Sequence, residues 1–520
     1  MATSRYFTVP GSDRQYDRNR MLIAILIPLV MALLQVSAVN TLLPAIQETL
    51  GATSSGIQWV LAGYALVYGI ILVPAGRIGD LVGRSMMFVI GLAIFSAGCL
   101  ACALATDTVM LNAMRILQAV GAGVFSPQVN GMIQQYFDGR ARAKAFGLMG
   151  LTISASVAAG PLISGATVAI FGNDPGWRYA FAINTPIGLL GLFLAFRWLA
   201  FSKERRTIGP NRKKAREEYR RQEIVAGRPA SKRRGRTLDL DPVGMITLCI
   251  GVFLIMMPFT MHASWRMWLL PAAVLVLTAW VWWEYTYERR GHIPMVNLKL
   301  FKISSFSYCT AISALQFLGS TSIFVLIALF VQQGLGQTAL FTGLIGLPNA
   351  VISAYFAVFA SRHAIEKGRV LQVVALLIVI GSVLATVAVA YGVANLGWHP
   401  AWLTLPITPV GIGLGMMGSV NQTQSMLEVP AAHGGTAGGM VQTAQRITTA
   451  IGNAVVTAVF FASGAAVGHT PSEWFRGFAS AQALVVGFIS LAVIVAVVYM
   501  VRGRRSIPGT SQAQRTIRNR

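Results

Sequence analysis

Apolar residues fall in fourteen long runs along the chain, separated by charged stretches or by Gly/Pro breaks. The runs lie near 21–44, 57–76, 85–105, 108–131, 145–171, 178–200, 243–261, 267–286, 306–331, 339–360, 370–392, 401–427, 436–462 and 477–501. Each is close to the roughly 20 residues that an α-helix needs to cross a bilayer. Barrel strands would alternate apolar and polar positions, and these runs do not. The pattern predicts an all-α polytopic membrane protein of fourteen transmembrane helices. The first run is of full span length and follows Arg18 and Arg20, so it is expected to be a retained helix rather than a cleaved signal peptide.

Composition agrees. Of the 520 residues, 55% are hydrophobic and 12% charged, and the charge is about half that of a soluble domain. This excludes a soluble enzyme with a membrane tail, a disordered chain and a disulfide-built secreted protein. The net charge of +24 raises the question of nucleic acid, which the location of the charge answers. With both termini in the cytoplasm, 36 of the 42 Lys and Arg lie in cytoplasmic segments, and the external connections hold only Arg178, Arg266 and Arg476. That is the positive-inside bias of a multi-pass protein of the cell (plasma or inner) membrane. Residues 201–238 carry 14 Lys/Arg with Tyr219 as the lone aromatic in the basic run. The segment reads as a cytoplasmic linker drawn to anionic lipid, with no nucleic-acid partner. The chain then divides into a tail (1–20), a six-helix bundle (21–200), a basic loop (201–242), two inserted helices (243–288), a second six-helix bundle (289–501) and a basic tail (502–520). A monomer is expected. Cys99 and Cys102 sit in an apolar run without His or acid support and read as core residues. The six His are scattered, without ligand spacing, so neither metal, cofactor nor enzyme is expected.

The short loops contain an internal repeat. Gly76-Arg-Ile-Gly-Asp80-Leu-Val-Gly83-Arg84 follows the second helix, and Arg362-His-Ala-Ile-Glu366-Lys-Gly368-Arg369 follows the tenth, with the same acid-x-x-Gly-Arg ending. Two repeated halves are a mark of secondary transporters. The Gly76–Arg84 loop, Leu111-Asn-Ala-Met-Arg115-Ile-Leu-Gln118 in the fourth helix and Ala159-Gly160-Pro161-Leu-Ile-Ser-Gly165 in the fifth resemble three signatures of the major facilitator superfamily. Further matches are Asn40-Thr-Leu-Leu-Pro44, Gly176 to Asn184, Glu288-Arg-Arg with Pro294, and Gly438 to Thr443. Together with fourteen spans the chain resembles the drug:proton antiporter branch. The resemblance implies two six-helix halves plus two inserted helices, and export of amphipathic molecules driven by a proton gradient through alternating access.

It also implies roles. Gly76, Asp80, Gly83 and Arg84 would form a cytoplasmic gate, with Asp80 free to pair with an arginine or with a helix N-terminus of the other half. Arg115 and Gln118 would lie on the proton path; a central Arg costs about 2.5–3.5 kcal/mol to insert and should face protein or water. Gly160 and Pro161 would supply the kink associated with antiport. The chain departs from the family at Gln35, where an Asp is usual, so that proton site is absent. Its absence keeps an exporter of lipid or cell-envelope intermediates, or an uncoupled facilitator, in view. Glu428 shares a helical face with Asn421 and Gln424 and is the replacement candidate; a carboxylate at the cytoplasmic helix end is the alternative. The polar stripes of Gln35 and Asn40, of Asn421 and Gln424, and of Gln442 and Arg446 are expected to line a cavity or to hydrogen-bond between helices, since polar groups in lipid are costly. Two cavity arginines without a clear acid would suit a neutral or anionic amphiphile.

Overall fold

The computed structural model describes residues 6–8, 15–201, 241–259, 264–290, 292, 294–465 and 470–505. The basic loop (except its ends) and most of the basic tail lie outside the described residues.

Among the described residues fourteen helices are long and apolar enough to cross a membrane. They are α1 (Arg18–Leu50), α2 (Gly56–Val82), α3 (Arg84–Ala103), α4 (Thr108–Tyr136), α5 (Gly139–Phe171), α6 (Asn173–Trp198) and α7 (Pro242–Phe259). The rest are α8 (Trp265–Arg289), α9 (Ser304–Gly334), α10 (Phe341–Ser361), α11 (Gly368–Asn395), α12 (Pro400–Ser425), α13 (Ala431–Ser463) and α14 (Pro471–Arg502). Several run beyond the apolar cores because the flanking residues cap them. α1 begins at Arg18 because the Asp17 side chain accepts from the Asn19 and Arg20 amides, and it ends where Gly51 turns left-handed. Before α1, β1 (Tyr6–Thr8) pairs antiparallel with β2 (Gln15–Asp17). Phe7 of this ribbon packs on Tyr136 at the end of α4, with ring centroids 4.9 Å apart.

The packing repeats with a spacing of eight spans. In the first half α1 packs on α5 and α6, and α4 on α2 and α3; in the second, α9 packs on α13 and α14, and α12 on α10 and α11. The halves meet where α2 lies on α13 and, equivalently, α10 on α5. Each half has its own apolar core, one around Phe88, Phe95 and Phe125, the other around Phe330, Phe460 and Phe478. The inserted α7 and α8 pack on each other and, through Leu248, Val252 and Trp280, on Leu66 and Val73 of α2.

Candidate transport pathway and gate

Close approach of the halves begins at the face that carries the α2–α3 and α12–α13 connections, called the basic face below. Glycine makes the approach feasible: a Cβ on Gly76 would stand 2.4 Å from the Gly435 carbonyl, and one on Gly439 would stand 2.6 Å from that of Leu72. Asp80, in the last turn of α2, points into the opening turns of α13. Its carboxylate accepts from the Gly435 amide (3.0 Å), the Thr436 amide (2.8 Å) and the Thr436 hydroxyl (2.8 Å). A helix N-terminus carries about half a positive charge, so this is the favoured place for a carboxylate. Arg84 completes the junction, donating to Asp80 Oδ1 through Nε (2.9 Å) and Nη2 (2.7 Å). It also donates to the Gly131 and Ala431 carbonyls and to Gln135 Oε1. The Asp80 and Arg84 side chains are 1% and 5% exposed. A buried pair with its remaining donors satisfied is costly to break from one side, by about 3–5 kcal/mol. Around it Gln134 Nε2 donates to the Met426 and Val429 carbonyls, and Gln422 Nε2 to Asn130 Oδ1. The structure thus brings together all four residues expected at the gate: Gly83 makes the tight turn at φ 126°, which glycine alone adopts readily.

The contacts continue to mid-depth. Gln442 Oε1 accepts from Tyr68 (3.1 Å) and Ser126 (2.9 Å), and Thr443 donates to the Gly69 carbonyl (3.1 Å). On the opposite seam the Ser154 and Ser353 hydroxyls meet at 2.9 Å. Beyond these, a Cβ on Gly165 of α5 or on Gly343 or Gly346 of α10 would meet nothing within 4 Å. The halves are therefore joined from the basic face to the middle.

Arg115 is 1% exposed and lies inside the first half. Its Nε donates to the Val60 carbonyl (3.1 Å) and its Nη1 to Gln118 Oε1 (2.5 Å), while Gln118 Nε2 donates to Cys99. Its Cζ stands 4.2 Å from the Tyr64 ring centroid. Tyr64 stacks on Tyr68 at 5.9 Å, and Arg446 of the other half stands over Tyr68 at 5.1 Å. Arg115 and Arg446 thus each lie over one ring of a stacked tyrosine pair built on i, i+4 positions of α2. Among the described residues these contacts of Arg115 are to a carbonyl, an amide and an aromatic ring, with no carboxylate hydrogen-bonded to it. The stack was missed in the sequence, where only the spacing of Tyr64 and Tyr68 signals it.

Several other expected positions are placed differently. Gln35 is fully buried between α1 and α6, accepting from Asn184 Nδ2 at 2.6 Å, and so does not line a cavity. Asn421 accepts from Gln372 Nε2 (2.9 Å), and Gln424 donates to the Ala364 carbonyl (2.5 Å); both are packed inside the second half. At these three the second of the two expected arrangements is seen, each having an amide or carbonyl partner on a neighbouring element. Of the two readings of Glu428, the carboxylate beyond the helix end matches the structure. α12 ends at Ser425, and Glu428 is exposed in the bend that follows. Pro430 explains this, since the residue before a proline avoids helix. Asn40 is exposed toward the far end of α1, and Gln442 and Arg446 are half-buried at the seam. Gly160 and Pro161 lie within a continuous α5, where a Cβ on Gly160 would strike Ser37 and the Leu34 carbonyl of α1. Among the described residues no group of three or more His, Cys, Asp or Glu is placed to hold a metal ion.

The comparisons with known proteins agree with this geometry. The model of the Major Facilitator Superfamily matches residues 25–453. The probable actinorhodin transporter of Streptomyces coelicolor is 30% identical over 451 residues, 83% of this chain and 70% of that protein. The methylenomycin A resistance protein of Bacillus subtilis is 27% identical over 490 residues, 91% of this chain and 93% of that one. In fold, the crystal structure of the human organic anion transporter MFSD10 (TETRAN) aligns with a TM-score of 0.61 at 13% identity, covering 92% of this chain and 99% of that chain.

Proposed function

The chain belongs to the major facilitator superfamily, a family of multi-pass membrane transporters and not of enzymes, and from that premise we propose that it exports hydrophobic or amphipathic small molecules across the cell membrane in exchange for protons, by alternating access. Both termini and the basic face are cytoplasmic in this reading, the basic loop 201–242 lies on anionic lipid, and the chain acts as a monomer without nucleic acid or bound cofactor. The observation that carries the reading is the Asp80–Arg84 junction with α13. It joins the halves at one face through contacts that separation would release, which is what one end state of alternating access requires. The relatives named for an antibiotic transporter and an antibiotic resistance protein support the direction and the substrate class.

Within that class a neutral or anionic amphiphile is favoured. Arg446 stands half-buried at mid-depth, with its Nε buried and without an acceptor, and its guanidinium over Tyr68. An anionic or carbonyl oxygen would satisfy that donor, and an aromatic body would lie against the tyrosine. A second reading, an exporter of lipid or envelope intermediates or an uncoupled facilitator, draws on Gln35, whose amide and that of Asn184 cannot titrate. The test is flux in proteoliposomes with an imposed pH gradient, over cationic, neutral and anionic amphiphiles. Accumulation of neutral or anionic compounds that collapses with a protonophore supports the antiporter. Flux that ignores the gradient supports the facilitator, and preference for quaternary ammonium dyes overturns the substrate class.

A further inference from the structure

The halves meet along two seams, α2 with α13 and α5 with α10, and the α7–α8 insert covers the first. Val252 and Met256 of α7 join Leu66 and Val73 of α2 and Ile447 and Ala450 of α13 in one apolar cluster. A Cβ on Gly69 of α2 would stand 3.1 Å from Met256 Sδ and 3.4 Å from Arg446 Cβ. The insert is therefore packed onto this seam at the depth of Arg446.

The second seam has no such cover among the described residues. Leu344, Val351 and Tyr355 of α10 are 51%, 65% and 64% exposed. Its contacts start at the basic face and stop at mid-depth. A Cβ on Gly147 would strike Ser361, one on Gly150 would stand 3.1 Å from Ala357 Cβ, and the Ser154 and Ser353 hydroxyls meet at 2.9 Å. Continued in the same register, the next facing pairs are Pro161 with Gly346 and Gly165 with Gly343. Yet a Cβ on any of these three glycines would meet no described atom within 4 Å. The two helices part here. Their facing stretches, 145–171 and 339–361, contain no Asp, Glu, Lys, Arg or His, so the walls of the gap carry no charge.

The covered seam holds the opposite chemistry. Arg446 Nε and Thr449 Oγ1, three residues apart on one face of α13, are buried with no hydrogen-bond partner among the described residues. Buried donors without an acceptor are costly, and an anionic oxygen would serve both. We propose that the α5–α10 gap is a lateral portal for the apolar tail of a single-chain anionic amphiphile whose head group lies at Arg446 and Thr449. The inference rests on the export reading and deepens it, by assigning each end of the substrate to one seam. The tail leaves through uncharged walls into the half of the bilayer away from the basic face, and so never exposes its methylenes to water. The insert, by closing the α2–α13 seam, confines the tail to the other one.

The test is photolabelling of the full chain in proteoliposomes with decanesulfonate that carries a diazirine at its chain end. A sulfonate stays ionised at every working pH and does not cross the bilayer as a neutral acid. Adducts are mapped by mass spectrometry with and without excess plain decanesulfonate, because labelling of an ordinary lipid-facing surface does not saturate. Saturable adducts are expected on α5 from Leu162 to Ala169 and on α10 from Phe341 to Pro348. In Arg446→Gln the competing concentration should rise by about ten-fold or more, as for loss of one charge-assisted hydrogen bond. The wild-type map needs no variant: saturable adducts on α2, α13 or the insert instead, or none anywhere, overturn the proposal. Unchanged competition in Arg446→Gln overturns it too. Gradient-driven flux of decanesulfonate in the same vesicles tests the export reading separately. Flux with adducts elsewhere removes the portal and leaves export standing; portal adducts without flux support the portal and count against export.

Discussion

Two loops of related sequence occupy pseudo-equivalent places in the two halves, and they are built differently. The loop after α2 presents Asp80 to the N-terminus of α13; the loop after α10 presents Glu366 to the N-terminus of α5. α2 remains helical through Asp80, so the carboxylate is buried among two amides, a hydroxyl and Arg84. α10 stops at Ser361, one loop residue is missing, and Glu366 is carried outward in a turn. There it pairs with Arg140, at 2.8 Å, with the two side chains 59% and 86% exposed. Arg369, the counterpart of Arg84, lies over the Tyr499 ring at 4.4 Å. The lesson is that the acid-x-x-Gly-Arg pattern does not itself make a latch. The helix must continue far enough to bury the acid against the opposing N-terminus.

The largest effect should follow Asp80→Ala, which leaves Arg84 and the α13 amides buried without their acceptor. A loss of about 3–5 kcal/mol is expected in the closed state, read as loss of transport and a lowered unfolding midpoint. Gly76→Ala should come next. Its methyl would occupy the space of the Gly435 carbonyl, so the seam cannot close, and flux should fall while unfolding in detergent changes less. Arg115→Lys should cost roughly 1–3 kcal/mol of stability, because an ammonium replaces neither the two-point hydrogen bonding nor the contact with Tyr64. The smallest effect belongs to Glu366→Gln, which should leave flux at the wild-type level, as exposed pairs contribute little. Arg140 beside it holds the Glu366 carboxyl below its usual range. That pair is therefore formed at neutral pH and breaks only as pH falls through the lowered value. It should add no pH dependence near neutrality, and a flux profile of Glu366→Gln that departs from wild type there would contradict this.

Much of this was legible in the sequence. Unbroken apolar runs give the fourteen spans, and the glycines around Asp80 mark the close approach. What was not legible depended on tertiary partners. Gln35 looked like a cavity residue because nothing in sequence announces that Asn184, on α6, would accept the role of its partner. Glu428 was carried into the membrane by helical spacing when Pro430 already argued for a break.

The most direct test of the account uses Thr443→Cys, at mid-depth between the halves, where the native Thr443 is buried. Its reaction with an impermeant thiol reagent added from the basic face would be measured in a background free of other cysteines. The account predicts slow labelling in the parent and in the Glu366→Gln variant, and fast labelling once Asp80→Ala is added. Equal labelling in all three, or acceleration by Glu366→Gln alone, would contradict the claim that the buried Asp80 junction closes this face.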